Sequence, residues 1–292
     1  MLGIGNKTNL NAGINLNIIN DIKHAFYKAN TVEKIIYVNV FLFLITVLFT
    51  KFSIQWLALP SSLDNFLYKP WTLISYAFIH QRLFHVLSNL LVLYYIGNLF
   101  LDFFTKKQFL NFYFLGVIVG ALSFLSFNYF AAKDGAPLGG ASAAVSTIFV
   151  AIATKIPRYA LRLRFIGSVE LWVLAAIWVA LSILQLANPD NGGAIAHLSG
   201  ALFGFIYVKQ LDKGNDIGKW FEAILNYFTN FMKSKKDKPL RTVHKSKGRA
   251  FKNEVSISRQ RKIDTILDKI SKSGYESLTQ EEKDFLFRAG KK

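Results

Sequence analysis

Ser142 lies in Gly139-Gly140-Ala141-Ser142-Ala143-Ala144, at the mouth of a long apolar segment. His197 closes Gly192-Gly193-Ala194-Ile195-Ala196-His197 at the start of another. Ionisable groups inside a membrane are costly and rarely occur there without a partner or a task. A serine hydroxyl is a weak nucleophile until a base takes its proton, and neutral imidazole is the usual base near pH 7. The chemistry this pair allows is acyl transfer. Attack on an amide carbonyl builds an oxyanion that needs hydrogen-bond donors. His85 and Asn89 are four residues apart on a third apolar segment and share one helix face. An imidazole N–H and an amide N–H from that face are candidate donors. The backbone N–H of Ser142, near a helix N-terminus, is a third. The small residues around Ser142 leave room for a substrate backbone.

Positioning these groups falls to apolar helices. Runs at about 35–49, 83–104, 108–132, 138–156, 165–187 and 192–211 predict six membrane helices. A bilayer core takes roughly 20 residues at about 1.5 Å each. The first run is short and is read as extending through 52–59. Lys155, Arg158, Arg162 and Arg164 fill the fourth connection, and Lys106 and Lys107 the second. Positive charge collects on the cytoplasmic side, which puts those connections and both termini there. The opposite connections carry Lys133 with Asp134, and Asp190 alone, while 51–82 is mixed. The second, fourth and sixth helices then enter from the outer face. Ser142 is about 6 Å and His197 about 8 Å along their helices, and His85 and Asn89 lie in the first two turns of theirs. Polar groups from three distant stretches reach a similar depth on one side.

Composition agrees with this architecture. The chain has 292 residues, is 52% hydrophobic and 15% aromatic, and holds 27 Phe. That is the profile of an all-α polytopic membrane protein, not a soluble domain. The net charge of +17 sits in inter-helix connections and the C-terminal region, so it reads as membrane topology and not as nucleic-acid binding. There is no cysteine, which excludes disulfides, thiolate metal sites and a thiol nucleophile. No cofactor or metal is implied. Residues 1–33 are polar and Asn-rich, lack the layout of a cleaved signal, and are read as a cytoplasmic segment.

Taken in order, these motifs resemble the rhomboid family of intramembrane serine proteases. His80-Gln81-Arg82-Leu83-Phe84-His85-Val86-Leu87-Ser88-Asn89 is similar to its second-helix signature of two histidines followed by an asparagine. Gly140-Ala141-Ser142-Ala143 resembles its Gly-x-Ser-Gly nucleophile motif. Ala196-His197-Leu198-Ser199-Gly200 with Gly204 resembles its Ala-His-x-x-Gly-x-x-x-Gly sixth-helix motif. The resemblance covers roughly 35–211. It implies a six-helix bundle in which Ser142 is the nucleophile and His197 the base, a dyad with no aspartate. It gives His85 and Asn89 an oxyanion role and His80 a structural hydrogen bond. It further implies single-span membrane proteins as substrates, the bilayer as surroundings, and residence in a bacterial cytoplasmic membrane. Three positions depart from the family. Ala143 replaces the usual glycine and adds a methyl near the oxyanion pocket. Ser146 replaces a tyrosine that often stacks on the base. Trp71-Thr72 replaces a Trp-Arg pair.

Each motif alone is weak. A serine among small residues at a helix start is usually a packing residue. A lone membrane histidine also suits a proton or ion relay. Gly116/Gly120 and Gly200/Gly204 have the spacing of close helix packing. For the second pair that packing would itself bring the fourth and sixth helices, and hence Ser142 and His197, together. Two other readings compete: a catalytically inactive rhomboid-like protein that binds membrane helices, and a small-solute carrier. A carrier should hold polar groups near the midplane, whereas here they gather toward one face.

The sequence divides into residues 1–33, a membrane domain over 34–211, a basic linker over 212–260 and a helical hairpin over 261–292. In the hairpin, Ile263, Ile266, Leu267 and Ile270 have helical spacing, Gly274 offers a stop, and Thr279-Gln280-Glu281-Glu282 resembles a capping box before Phe285 and Leu286. This hairpin is similar to a tail seen on some bacterial rhomboids.

Overall fold

A computed structural model describes residues 20–131, 135–163, 167–188, 191–224 and 247–289. It divides into two units, one ending at Met232 and one beginning at Lys233.

The first unit is built on six apolar helices in the expected order. They are α1 (Thr31–Leu48), α2 (Leu83–Phe103), α3 (Lys106–Phe130), α4 (Ser142–Lys155), α5 (Leu171–Gln185) and α6 (Gly192–Asp212). Local chemistry sets several of the starts. Asn30 and Glu33 form a reciprocal capping box that opens α1, and Thr105 with Gln108 does the same for α3. A further helix, Thr50–Leu57, carries the first apolar run on as expected.

α1, α2, α3 and α6 are long and apolar enough to cross a membrane, while α4 and α5 have 14 and 15 residues. At about 1.5 Å per residue those two reach only roughly 21–22 Å against a core of about 30 Å. Among the described residues, length and composition therefore mark four of these helices as candidate membrane spans.

The two short helices also start later than their apolar runs. Leu138 exchanges backbone hydrogen bonds with Leu59, and Gly140 has φ +128°, so α4 begins only at Ser142. Ser142 is thus the first residue of its helix and not one turn inside it. Residues 160–163 and 167–170 pair as an antiparallel ribbon. Its strands β1 (Ala160–Leu163) and β2 (Gly167–Glu170) pair from Ala160↔Glu170 to Leu163↔Gly167, with Gly167 at φ +89°. The ribbon satisfies backbone groups that the fifth helix would otherwise have taken, and α5 starts after it at Leu171.

α4 is the centre of the bundle, buried along nearly its whole length and packed most closely against α6. The glycines explain how. A methyl at Gly200 would overlap the Ala143 carbonyl, and one at Gly204 the Thr147 carbonyl. On the other side, methyls at Gly116 and Gly120 would overlap Thr147 and Ala143. Both expected glycine pairs are therefore packing sites, with α4 held between α3 and α6. Thr147 Oγ1 lies 2.9 Å from both the Ala143 and the Gly200 carbonyl oxygens. Below this crossing an aromatic cluster fills the core, in which Phe112 stacks on Tyr207 at 3.9 Å beside Phe100 and Phe109.

The packed region continues past Leu211, into what the sequence suggests is linker. Asp212 pairs with Lys155, and Glu222 with Lys107. Asp216 accepts from the Tyr207 hydroxyl at 2.6 Å and from the Gly218 N–H at 3.0 Å. Phe221 is buried beside Phe114.

The second unit contains α7 (Lys247–Ser273) and α8 (Gln280–Ala289), a helical hairpin as expected, although its first helix begins well before 261. Gly274 turns the chain at φ +76°. The capping box forms, with Thr279 N–H donating to Glu282 at 2.9 Å, and Lys269 also binds Glu282. Ile266 and Leu278 are its buried apolar residues. Most of the basic stretch over 233–252 lies outside the described residues.

Two stability outcomes follow from this packing. Gly200→Ala and Gly204→Ala should each destabilise the protein by about 1–3 kcal/mol through overpacking. Gly193→Ala should be neutral, because its methyl would have no neighbour nearer than 3.9 Å. Thermal unfolding in detergent separates the three. A truncation after Ile224 should keep the parent melting temperature, whereas one after Leu211 should lower it by removing the Asp216 and Phe221 contacts; equal melting of the two would show that those contacts contribute nothing.

Candidate active site

The five residues before α4 hold the site's backbone in place. Leu138 is bridged to Leu59. The Gly140 N–H donates to the Tyr76 carbonyl at 2.9 Å, and the Ala141 N–H donates to His80 Nε2 at 3.2 Å. Tyr76 is itself tied to α3 by its hydroxyl, which donates to the Val117 carbonyl at 2.8 Å. His80 is fully buried and carries out the structural hydrogen bond expected of it. For Nε2 to accept, the ring must be neutral, with its proton on Nδ1. That Nδ1 is buried without a well-formed hydrogen bond, and the Phe78 carbonyl favours the protonated ring only weakly.

These contacts deliver Ser142 at the N-terminus of α4. The preceding residue, Ala141, supplies no side-chain cap, so the first N–H groups of the helix have no side-chain acceptor. Ser142, Ala143 and Ala144 are all buried. An uncapped helix N-terminus in buried surroundings is an anion-stabilising arrangement.

His85 packs against this turn. A β-carbon on Gly140 would sit 2.6 Å from His85 Cε1, so only glycine fits there. The His85 and His80 rings meet edge to face, with centroids 5.2 Å apart. Asn89 lies one turn further along α2 and is buried; its Nδ2 donates to the His85 carbonyl at 2.9 Å. One amide N–H remains uncommitted, and Oδ1 has no partner.

His197 is in the second turn of α6, close enough to His85 for charge on one ring to act on the other. The contact of Gly200 with Ala143 puts His197 less than one turn away from the α4–α6 crossing, toward the end of α4 that carries Ser142. Ser142 Oγ and the His197 ring form no hydrogen bond among the described residues. A mouth of about 290 Å³ opens beside this group, lined by Arg82, His85, Phe124, Pro137, Gly139 and Gly193 among others.

The three departures now have structural settings. The Ala143 methyl faces α3 at Gly120. Ser146 accepts a hydrogen bond from Trp178 Nε1 on α5 at 2.8 Å, so this position links α4 to α5. Thr72 is buried and donates to the Lys69 carbonyl at 2.6 Å, while Trp71 stacks on Trp56 and donates to its carbonyl at 2.7 Å. Sequence reasoning missed Thr147 and Tyr76, which hold the site without belonging to it. The one signal available for Thr147 was its place one turn after Ala143, opposite the two glycine pairs.

His80 gives the site's support a pH dependence. Its ordinary value is about 6.5. Burial, reinforced by the neighbouring His85, pushes it down to about 4. The folded protein keeps the ring neutral over a range in which the unfolded chain takes up a proton. Stability present above about pH 6.5 is therefore lost progressively as the pH falls toward 4. Melting temperatures measured across that range should fall less steeply for His80→Gln than for the parent, with a lower value for the variant at pH 7. Parallel slopes would remove His80 from the explanation.

Comparison with known proteins bears on the family of the chain. Residues 68–211 match the Rhomboid domain family, and 252–292 match a family of unknown function (DUF6576). Rhomboid-like protease 3 of Toxoplasma gondii is 27% identical over 161 residues, covering 53% of this chain and 57% of that protein. RHOMBOID-like protein 12, mitochondrial, of Arabidopsis thaliana is 30% identical over 168 residues, 52% of this chain and 50% of that one. The human presenilin-associated rhomboid-like protein, mitochondrial, is 33% identical over 138 residues, 45% and 35% respectively. The aligned stretches thus span about half or less of the relatives' own lengths. With its membrane helices, its motifs in order and a matching domain over 68–211, this chain belongs to the rhomboid family.

Proposed function

We propose that the protein is a serine endopeptidase that cuts peptide bonds in or beside the membrane spans of other proteins. The observation that carries this reading is the uncapped, buried start of α4. Ser142 is its first residue, and the turn that leads into it packs at Gly140 against His85. In this reading Ser142 Oγ attacks the scissile carbonyl and passes its proton to His197. The oxyanion is met by N–H groups at the start of α4, helped by His85 and by the free amide N–H of Asn89. His197 then returns the proton to the leaving amine, and a water hydrolyses the acyl-enzyme. Catalytic hydrogen bonds are often long before substrate binds, which accommodates the open Ser142–His197 pair.

Substrates of this kind are membrane helices whose backbone is already hydrogen-bonded, so the cut falls where that helix is locally unwound. We place α4 and α5 as the two remaining crossings, completed by the chain that flanks them. The ribbon and both ends of the chain then lie on the cytoplasmic side, in keeping with Lys155, Arg158 and Arg162. A bacterial cytoplasmic membrane rests on the resemblance of the tail alone.

A second reading, a family member that binds membrane helices without cutting them, is favoured by the missing Ser142–His197 hydrogen bond. One experiment decides between the two. Purified protein is incubated in detergent with a single-span substrate, beside Ser142→Ala and His197→Ala. Each variant should abolish cleavage while remaining folded, because the pair acts as a unit. A serine-directed fluorophosphonate should label the parent and not Ser142→Ala. Asn89→Ala should lower kcat about 10²-fold, near the lower end for loss of one oxyanion donor, with little change in KM. A parent that binds substrate yet neither cuts it nor takes up the probe would be the binding protein.

A further inference from the structure

α5 is weakly held. Only Leu171, Ala175 and Ser182 of its residues are buried, and Ile177 and Leu181 are more than half exposed. Between α5 and α2 runs an apolar groove of about 600 Å³. Leu91 and Tyr95 of α2 form one wall, Leu174 and Trp178 of α5 the other, and Phe149 of α4 lies between them. Leu174, Trp178 and Leu181 recur at one-turn intervals, which gives about 10 Å of groove along the helix.

The groove has a charged end. Arg162 of the β1–β2 ribbon lines it beside Leu161. Arg162 is exposed and forms no ion pair among the described residues. The ribbon's own carboxylate, Glu170, instead accepts from Trp172 Nε1 at 2.7 Å. The ribbon follows α4, so this end lies roughly 20 Å along that helix from Ser142.

An apolar channel capped by one unpaired guanidinium asks for a ligand with a methylene chain and an anionic head. We propose that the groove holds an acyl chain of an anionic phospholipid from the leaflet bordering the ribbon, with the phosphate on Arg162. A free phosphate would leave the groove unused, and a neutral alkyl chain would leave Arg162 unused. The lipid reinforces α5 where it touches the core. Trp178, a wall of the groove, donates to Ser146 and meets the Phe149 ring at 5.7 Å.

Quenching of Trp178 by brominated lipid tests this on the full-length protein. Dibrominated phosphatidylglycerol and dibrominated phosphatidylcholine are titrated into the detergent-solubilised protein. The Trp178 component is the difference between the parent and Trp178→Phe. Phosphatidylglycerol should quench it at an about fivefold lower lipid fraction, the advantage that one cation near a leaflet confers. Arg162→Lys should keep that preference and Arg162→Ala should abolish it, with Arg162→Gln as the substitute where the alanine variant does not purify folded. Equal quenching by the two lipids in the parent, or a preference that survives Arg162→Ala or Arg162→Gln, overturns the proposal. Displacement of the brominated lipid by a single-span peptide also overturns it, and makes the groove a helix-docking site.

Discussion

The contact of the α6 backbone with α4 across Thr147 is the constraint on which the rest of the membrane domain depends. Lipid supplies no hydrophobic force between helices, so association rests on close packing and inter-helix hydrogen bonds. Both are present here. Gly200 and Gly204 let the backbones meet with no side chain between them, and Thr147 Oγ1 sits between carbonyls of its own helix and of α6. On the opposite face Gly116 and Gly120 admit Thr147 and Ala143 to α3. A helix gripped from two sides by backbone has little freedom to slide. The register of Ser142 against His197 is thereby set by residues that perform no chemistry.

The second support is polar. The turn before α4 presents backbone N–H groups in a buried setting, and an unmet donor there is expensive. Tyr76 and His80 meet two of them, and the hydroxyl of Tyr76 carries the load on to α3. The N–H groups of Ser142 and its successors are left over. The satisfied donors lie before Ser142 and the unsatisfied ones at it, which is the division that the proposed anion-stabilising role requires.

Much of this was legible because its signals are local. The glycine spacings announce close packing, the His85–Asn89 spacing announces a shared face, and Thr279 with Glu282 announces a helix start; each is a statement about neighbouring turns. What escaped depends on distant partners. Residues 160–163 read as part of a basic connection and 167–170 as the edge of an apolar run, yet the two pair as a ribbon. Leu138 looks helical until Leu59 claims its backbone. The direction of the Ala143 methyl follows from α3, and the partner of Ser146 comes from α5, 32 residues away. The residues after Leu211 have the composition of a linker, but Asp216 and Phe221 find places on the bundle.

The shortness of α4 connects these features. Fourteen residues make about 21 Å of helix, roughly 9 Å less than the apolar core of a bilayer. A helix of that length in a membrane begins or ends inside it, and its terminal backbone groups then find no water. The lysine at the far end, Lys155, pairs with Asp212 at a partly exposed position. With that end at the cytoplasmic surface, as the proposed topology has it, the deficit falls at the Ser142 end. There protein partners replace the missing water: Leu59 for Leu138, Tyr76 for Gly140, His80 for Ala141. A full-length helix would have carried these N–H groups out to solvent, where nothing would distinguish those of Ser142. Ending α4 early puts its positive pole, and the hydroxyl on its first residue, among buried groups in the same step.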